Sequence, residues 1–272
     1  MGSPLRAFAR LSLYLALTLV LLPVQMFAVR FNRGLAVRLP LFYHRLCTRI
    51  LGFQIRVHGH MAEDGPILFA CNHTSYTDIA ILGALLPASF VAKEEVANWP
   101  LFGLLAKLQR TVFVARRGAR AAEQRDEMVR RLEQGDNLIL FPEGTSSDGN
   151  AVLPFKSALF SVAEVRPRGA PLKVQPVSLA YTRLDGMPIG RALRPYFAWY
   201  GDMTLAPHFW EVAGLGHATV DVIFHEPVTF EQFGSRRALA EHCFEVVACG
   251  VSAANAGRLE LVPACARAGL VS

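Results

Sequence analysis

His73 and Asp78 are the residues whose types and spacing first suggest chemistry. An imidazole takes a proton near neutral pH, and a carboxylate beside it fixes the tautomer and stabilises the imidazolium. The apolar run Ile67-Leu68-Phe69-Ala70 leads into Cys71-Asn72-His73-Thr74-Ser75-Tyr76-Thr77-Asp78, and Ile79-Ala80-Ile81-Leu82 leads out. This pattern places His73 at a strand-to-helix turn, a common seat for reactive groups in α/β folds. On one ideal helix a spacing of five would put the two side chains about 140° apart. If the helix begins near Thr74 or Ser75, His73 lies outside it, and Asp78 tilts back toward the imidazole. The pair has no serine of its own, so the hydroxyl it activates belongs to a substrate. A bare His-x4-Asp also arises by chance, and its weight depends on the blocks that follow.

The second chemistry-bearing stretch is Leu138-Ile139-Leu140-Phe141-Pro142-Glu143-Gly144-Thr145-Ser146-Ser147. Here too an apolar strand ends in a turn, now carrying a carboxylate, a glycine and hydroxyls. Gly144 lets backbone approach a ligand closely.

Two further blocks complete a pattern. Asn72-His73-x4-Asp78, Thr111-Val112-Phe113-Val114-Ala115-Arg116, Phe141-Pro142-Glu143-Gly144-Thr145 and Val174-Gln175-Pro176-Val177-Ser178 occur in that order. Together they resemble the four blocks of the glycerolipid acyltransferase family, whose best-known members are the 1-acylglycerol-3-phosphate acyltransferases. The resemblance covers roughly residues 50–230. It implies a general base at His73, oriented by Asp78. It also implies substrate binding by Arg116, Glu143, Gly144, Thr145 and Pro176, with Arg116 and Glu143 on the acceptor headgroup and Pro176 lining the acyl site. The implied reaction moves a fatty acyl group from acyl-ACP or acyl-CoA to the hydroxyl of a 1-acyl lysolipid. The first reading of that lysolipid is the 1-acyl-sn-glycerol-3-phosphate type, giving phosphatidic acid. No metal or cofactor is implied; the partners are membrane lipids and the carrier thioester. The implied location is a bacterial inner membrane with the site facing the cytoplasm.

One position departs from the family. Members acting on glycerol phosphates usually carry arginine after Glu-Gly-Thr, where its fork would grip phosphate. This chain has Ser146. Arg116, Arg117 and Lys156 could compensate. Alternatively the acceptor lacks phosphorus: Glu143-Gly144-Thr145-Ser146-Ser147-Asp148-Gly149 resembles the lyso-ornithine lipid O-acyltransferase branch of the same family.

Behind these blocks the chain alternates strands and helices. Strands are expected at 55–60, 66–72, 89–93, 111–116, 137–143, 174–181 and 218–228, and helices at 75–86, 96–109, 119–134, 155–165 and 231–254. Such alternation argues for an α/β fold with a mixed, mostly parallel sheet flanked by helices. Residues 188–216 lack a period and read as a loop region near the membrane. The expected organisation is membrane-anchoring helices over 1–53, an α/β catalytic domain over 54–257 and a tail over 258–272.

The anchor is the strongest compositional signal. Leu11 to Val29 carries no charge, with Arg6 and Arg10 before it and Arg30, Arg33 and Arg38 after it. At ~1.5 Å per residue a helix of that length just spans a hydrocarbon core of roughly 30 Å. Pro23 and Gln25 interrupt the run and suggest a bend that would let the helix enter one leaflet only. The stretch 35–53 is amphipathic and arginine-studded, suited to a headgroup layer. Over all 272 residues the hydrophobic share is 52% and the net charge +6. That charge fits an anionic partner. The mean hydropathy of +0.29 favours lipid, and no basic-aromatic motif supports nucleic acid. Five cysteines without C-x-x-C spacing suggest neither a disulfide framework nor a zinc site.

Two other classes compete. A serine hydrolase would need Ser75 or Ser147 as nucleophile, and no G-x-S-x-G elbow is present. A non-catalytic membrane adaptor is disfavoured by the intact pair and Glu-Gly-Thr turn. His58 and His60 form at most a partial metal pair, Cys71 is expected to face the core, and Trp199, Tyr200 and Trp210 to form a packing or interfacial cluster.

Overall fold

In the computed structural model, residues 2–114 and 120–262 are described. Helix α1 (Pro4–Phe31) starts at Ser3, whose hydroxyl accepts the Arg6 N–H at 3.3 Å, with Pro4 where no N–H is needed. Asn32 makes the corner. Its N–H donates to Ala28 O, and its side chain accepts the Leu35 N–H of α2 (Arg33–Leu51) at 3.0 Å. Gly52, at φ +82°, ends α2 with a left-handed cap.

Helix α1 runs continuously through Pro23 and Gln25. Gln25 is buried, and its Nε2 donates to Ala36 O of α2 at 3.1 Å and to Leu108 O at 2.8 Å. The polar residue in the apolar run thus fastens the helix to its neighbours. Along the outer face of α1, Leu5, Phe8, Leu19, Val20 and Phe27 stay exposed. It is the one helix among the described residues long and apolar enough to cross a membrane.

The sheet contains β1 (Phe53–His58), β2 (Ile67–Cys71), β3 (Ala88–Lys93), β4 (Val112–Val114), β5 (Asn137–Leu140), β6 (Lys173–Leu184), β7 (Met187–Pro188), β8 (Ala218–Phe224) and β9 (Val228–Thr229). Its order is β1-β8-β6-β2-β5-β3-β4, with β7 and β9 paired to β6. On the main path every pairing is parallel except β6 with β8. A strand covered on both faces carries continuous apolar sequence. Strand β2, Ile67-Leu68-Phe69-Ala70-Cys71, is buried throughout. Its side chains alternate between two cores: Phe69 and Cys71 meet Val177, Leu179 and Tyr181 on one side, and Leu68 and Ala70 meet Leu138, Leu140 and Val174 on the other.

Helix α3 (Thr77–Leu85) follows β2, and α5 (Arg120–Glu133) precedes β5. The long C-terminal helix α7 (Arg236–Asn255) lies against β6. Three expected elements differ. The helix foreseen at 96–109 is split at Pro100: a 3-10 turn covers Glu94–Asn98, Trp99 is extended, and α4 runs from Phe102 to Leu108. At 155–165 the helix is a 3-10 stretch, Ser157–Glu164, preceded by Lys156, whose N–H bonds Pro142 O at 2.9 Å. The region read as a loop, 188–216, contains α6 (Leu205–Gly214). Its apolar face finds its partner in α1, with Phe209 edge-on to Tyr14 at 5.5 Å, and Arg10 of α1 donates to Ala213 O, Leu215 O and Gly216 O at its C-terminal end. No local period reveals a partner so far away in sequence.

Candidate active site

Two adjacent parallel strands bring the two chemical blocks together. Ala70 of β2 pairs with Leu140 of β5, so the turns leaving both strands open on the same sheet edge. Open α/β sheets place ligands at such carboxyl ends. Asn72 shapes the first turn: its amide donates to Leu179 O at 2.9 Å and accepts the Leu179 N–H at 2.8 Å, continuing the ladder to β6.

His73 follows, outside α3. Its Nδ1 lies 2.8 Å from Asp78 Oδ2. That same oxygen accepts the N–H of Thr74 at 2.7 Å and of Ser75 at 2.9 Å. The other, Oδ1, accepts the hydroxyl of Tyr181 at 2.7 Å, and that hydroxyl also meets Thr77 Oγ1 at 2.6 Å. Asp78 is wholly buried, while the His73 side chain keeps 22% of its surface. With Nδ1 held by the carboxylate, Nε2 is left to face a reactant. The ring stacks on Phe141, centroids 4.1 Å apart and planes 21° apart, which limits its rotation.

Glu143 was expected to grip an acceptor headgroup. The structure buries it at 1% exposure and gives both oxygens to backbone: Oε1 accepts the His73 N–H at 2.7 Å and Oε2 the Leu153 N–H at 2.8 Å. Burial pushes its pKa up to about 8, against these two hydrogen bonds, and the nearby Asp78 carboxylate raises it further. Ser147 N–H closes the other side of the turn onto His73 O at 2.9 Å. The second block therefore clamps the first from two directions.

Gly144 sits at φ +67°, a conformation that glycine adopts freely. Thr145 is exposed beside it. Pro176 is buried in the middle of β6, opposite Ala70; its missing N–H needs no partner there, and its carbonyl accepts the His225 N–H at 3.0 Å. Arg116 and Arg117 lie outside the described residues. At the family's arginine position, Ser146 Oγ donates to Trp199 O at 2.5 Å, and the Trp199 N–H donates to Thr74 O at 3.0 Å. Trp199 stands edge-on to Trp99 and Tyr76, while Tyr200 and Trp210, grouped with it in the sequence reading, are exposed.

Other candidates find structural partners. His58 Nε2 meets Asp221 Oδ1 at 2.7 Å, with Thr182 on the second oxygen. Cys71 is fully buried, and burial raises its thiol well above the ordinary value. Among the described residues no group of three His, Cys, Asp or Glu is placed to hold a metal. Ser75 is fully buried, and its hydroxyl has no partner. The Ser147 hydroxyl accepts the Gly149 N–H at 3.3 Å. Neither serine is bonded to the imidazole, as a hydrolase nucleophile would be.

A buried carboxylate and an imidazole with one nitrogen left open, with no serine bonded to it, can take a proton from an external hydroxyl. Known proteins agree in class. The family model "Acyltransferase" matches residues 54–180. The lyso-ornithine lipid O-acyltransferase of Brucella abortus is 46% identical over 87% of this chain and 90% of its own. The chain belongs to the acyltransferase family. A second relative, the lyso-ornithine lipid O-acyltransferase of Rhizobium meliloti, is 40% identical over 84% of this chain and 80% of its own. The 1-acyl-sn-glycerol-3-phosphate acyltransferase of Neisseria gonorrhoeae is 36% identical over 61% and 62%. The crystal structure of the 1-acyl-sn-glycerophosphate acyltransferase from Thermotoga maritima shares the fold: TM-score 0.58 and 23% identity, covering 89% of this chain and 96% of that one.

Three residues of this acyltransferase's site escaped the sequence reading. Asn72 was quoted as part of a block, without a role. Tyr181 was read only as the end of a strand, and Phe141 as an apolar strand residue. A tyrosine continuing the core-facing alternation Val177, Leu179, Tyr181 was the available signal, since a buried hydroxyl needs a partner.

Proposed function

We propose that this acyltransferase esterifies the free hydroxyl of lyso-ornithine lipid with a fatty acyl group carried as a thioester on acyl carrier protein or coenzyme A. The observation that carries the acceptor is Ser146. Where glycerol-phosphate enzymes present an arginine to phosphate, this chain has a hydroxyl already spent on Trp199 O. The two relatives of highest identity cited above act, by name, on lyso-ornithine lipid. Both supports favour this acceptor over the 1-acyl-sn-glycerol-3-phosphate type that the sequence put first.

In this mechanism His73 Nε2 takes the proton of the acceptor hydroxyl as its oxygen attacks the thioester carbon. General-base help of this kind contributes about 10²–10⁴ in rate. The buried Asp78 charge stabilises the imidazolium that forms. The tetrahedral intermediate collapses, the C–S bond breaks, and the proton passes from His73 to the departing thiolate. Its oxyanion needs donors. The Thr74 and Ser75 amides are spent on Asp78. The amide of Thr145, at the glycine turn, supplies one. Glu143 acts by holding the His73 backbone, and Pro176 by supporting the strand beneath the acyl chain. Helix α1 seats the enzyme in the inner membrane, with the site facing the cytoplasm, where the thioester donors are.

The test is acyl transfer by the detergent-solubilised enzyme, with acyl-ACP and acyl-CoA each offered against lyso-ornithine lipid and lysophosphatidate. Transfer to lyso-ornithine lipid that disappears in His73→Ala is expected. Preference for lysophosphatidate would overturn the acceptor, and undiminished transfer by His73→Ala would overturn the mechanism.

A further inference from the structure

Leu101, just ahead of α4, holds the backbone in a strained turn. Its φ of +59° and ψ of −54°, with the Phe102 N–H on Pro100 O at 2.6 Å, make a γ-turn of the rare class that costs free energy for a residue with a Cβ. Glycine takes a positive φ without that cost, yet the chain has leucine here. The side chain is not packed away in return: Leu101 is 41% exposed, and Leu104, on the first turn of α4, is 42% exposed. The turn is held from behind. A Cβ on Gly103 would stand 2.4 Å from Ala97 O, so α4 is pressed against the 3-10 turn Glu94–Asn98. A strained backbone and two exposed leucines are both unfavourable in water.

Both ends of this segment lead to α1. At the C-terminal end of α4, Leu108 O accepts Gln25 Nε2 of α1 at 2.8 Å. Ahead of α4, Trp99 stands edge-on to Trp199, Trp199 to Tyr76, Tyr76 to Phe209 of α6, and Phe209 to Tyr14 of α1, with centroids 5.5–6.0 Å apart. The segment thus runs beside the uncharged part of α1 between Tyr14 and Gln25, where Leu15, Leu19, Val20 and Val24 are exposed. Along the outward stripe of α4 an exposed cation, Lys107, follows Leu101 and Leu104. It lies toward the end of α1 that carries Arg30 and Arg33. Apolar side chains followed by a cation suit a segment seated at a lipid boundary. We infer that the Pro100-Leu101-Phe102 turn and the outward stripe of α4 insert into the hydrocarbon of the same membrane as α1, with Lys107 among the headgroups. Lipid covers the two leucines, and that burial offsets the strain. The aromatic series passes through Tyr76, three residues beyond His73, so this second insertion backs onto the catalytic turn. The inference rests on α1 lying in lipid.

The experiment places a nitroxide on the full chain, reconstituted into vesicles of phosphatidylethanolamine and phosphatidylglycerol. Leu101→Cys and Leu104→Cys are the test positions. Phe27→Cys, on the exposed face of α1, is the lipid control, and Glu241→Cys, exposed on α7, is the water control. The unsubstituted chain, taken through the same labelling, gives the background from its own cysteines. Electron paramagnetic resonance then compares collisions with oxygen, which concentrates in hydrocarbon, against a water-soluble nickel chelate. The oxygen-to-nickel ratios at 101 and 104 should match that at 27 and exceed that at 241 by about fivefold or more. If 101 and 104 behave like 241 while 27 reports lipid, α4 stands outside the membrane and the inference is overturned, with the seating of α1 intact. A lipid signal at only one of the two overturns it too, because one stripe enters as a unit. If 27 also reports water, the seating of α1 fails and the inference falls with it. Should Leu101→Cys not fold, Leu104→Cys, on regular helical backbone, carries the test alone.

Discussion

A single oxygen of Asp78, Oδ2, takes the His73 ring at 2.8 Å together with the two amides that open the turn, Thr74 and Ser75. The carboxylate that orients the imidazole also builds the turn that carries it. Asp78→Asn tests this coupling. With its oxygen in the Oδ2 place the amide still accepts the three N–H donors and its NH2 meets the Tyr181 hydroxyl, so the turn is kept while the charge that stabilises an imidazolium is lost. We expect kcat to fall by about 10²–10⁴ with the acceptor KM little changed. Steady-state kinetics on the purified variant check it; a KM effect with kcat intact would assign Asp78 to binding.

Glu143 separates two roles in the same way. With both oxygens bound to backbone N–H groups, Glu143→Gln turns one acceptor into a donor facing a donor. The cost expected is about 1–3 kcal/mol of stability, with a lower kcat. A headgroup contact would instead raise the acceptor KM and leave the melting temperature alone. Thermal unfolding in detergent, read beside kinetics, distinguishes the two.

Ser146→Arg places the family's arginine back on the turn. It also removes the hydrogen bond to Trp199 O and thereby loosens the segment whose Trp199 N–H is tied to Thr74 O. Transfer to lyso-ornithine lipid should drop by about tenfold, while binding of lysophosphatidate improves. Competition between the two acceptors measures the ratio directly. An unchanged ratio would show that position 146 does not read the headgroup.

His225 gives the fold a pH dependence. Its Nε2 lies 2.8 Å from Ser178 Oγ, which itself donates to Val247 O at 2.9 Å. Burial first, and then the neighbouring His242, hold its pKa down at about 4, below the ordinary 6.5. Between those values the unfolded chain binds a proton that the fold rejects. The stability contributed by the neutral ring is therefore complete above about pH 6.5 and declines as pH falls toward 4, by at most about 3 kcal/mol. Unfolding midpoints from about pH 7.5 to about pH 4.5 should show this slope in the wild type and a flatter one in His225→Gln. Equal slopes would place the effect elsewhere.

The sequence by itself determined the local features of this acyltransferase. His73 lies on the turn before α3 and Asp78 in its first turn, so a helix start between them, read from the local pattern, was enough to bring them together. The uncharged run marked α1 as a helix long and apolar enough to cross a membrane, and alternating strands and helices marked the mixed sheet. Tertiary structure decided the rest, because the remaining contacts cross the chain. Tyr181 reaches Asp78, and Asn72 reaches Leu179, only because β2 lies beside β6. Glu143 reaches the His73 amide because β5 flanks β2 on the other side. Ser146 meets Trp199, and α6 meets α1, through segments with no period of their own. Period and propensity report which face of an element is apolar. They do not report which distant element covers it, and that choice, made by strand order and burial, gave the Glu143 carboxylate its backbone partners at His73 and Leu153.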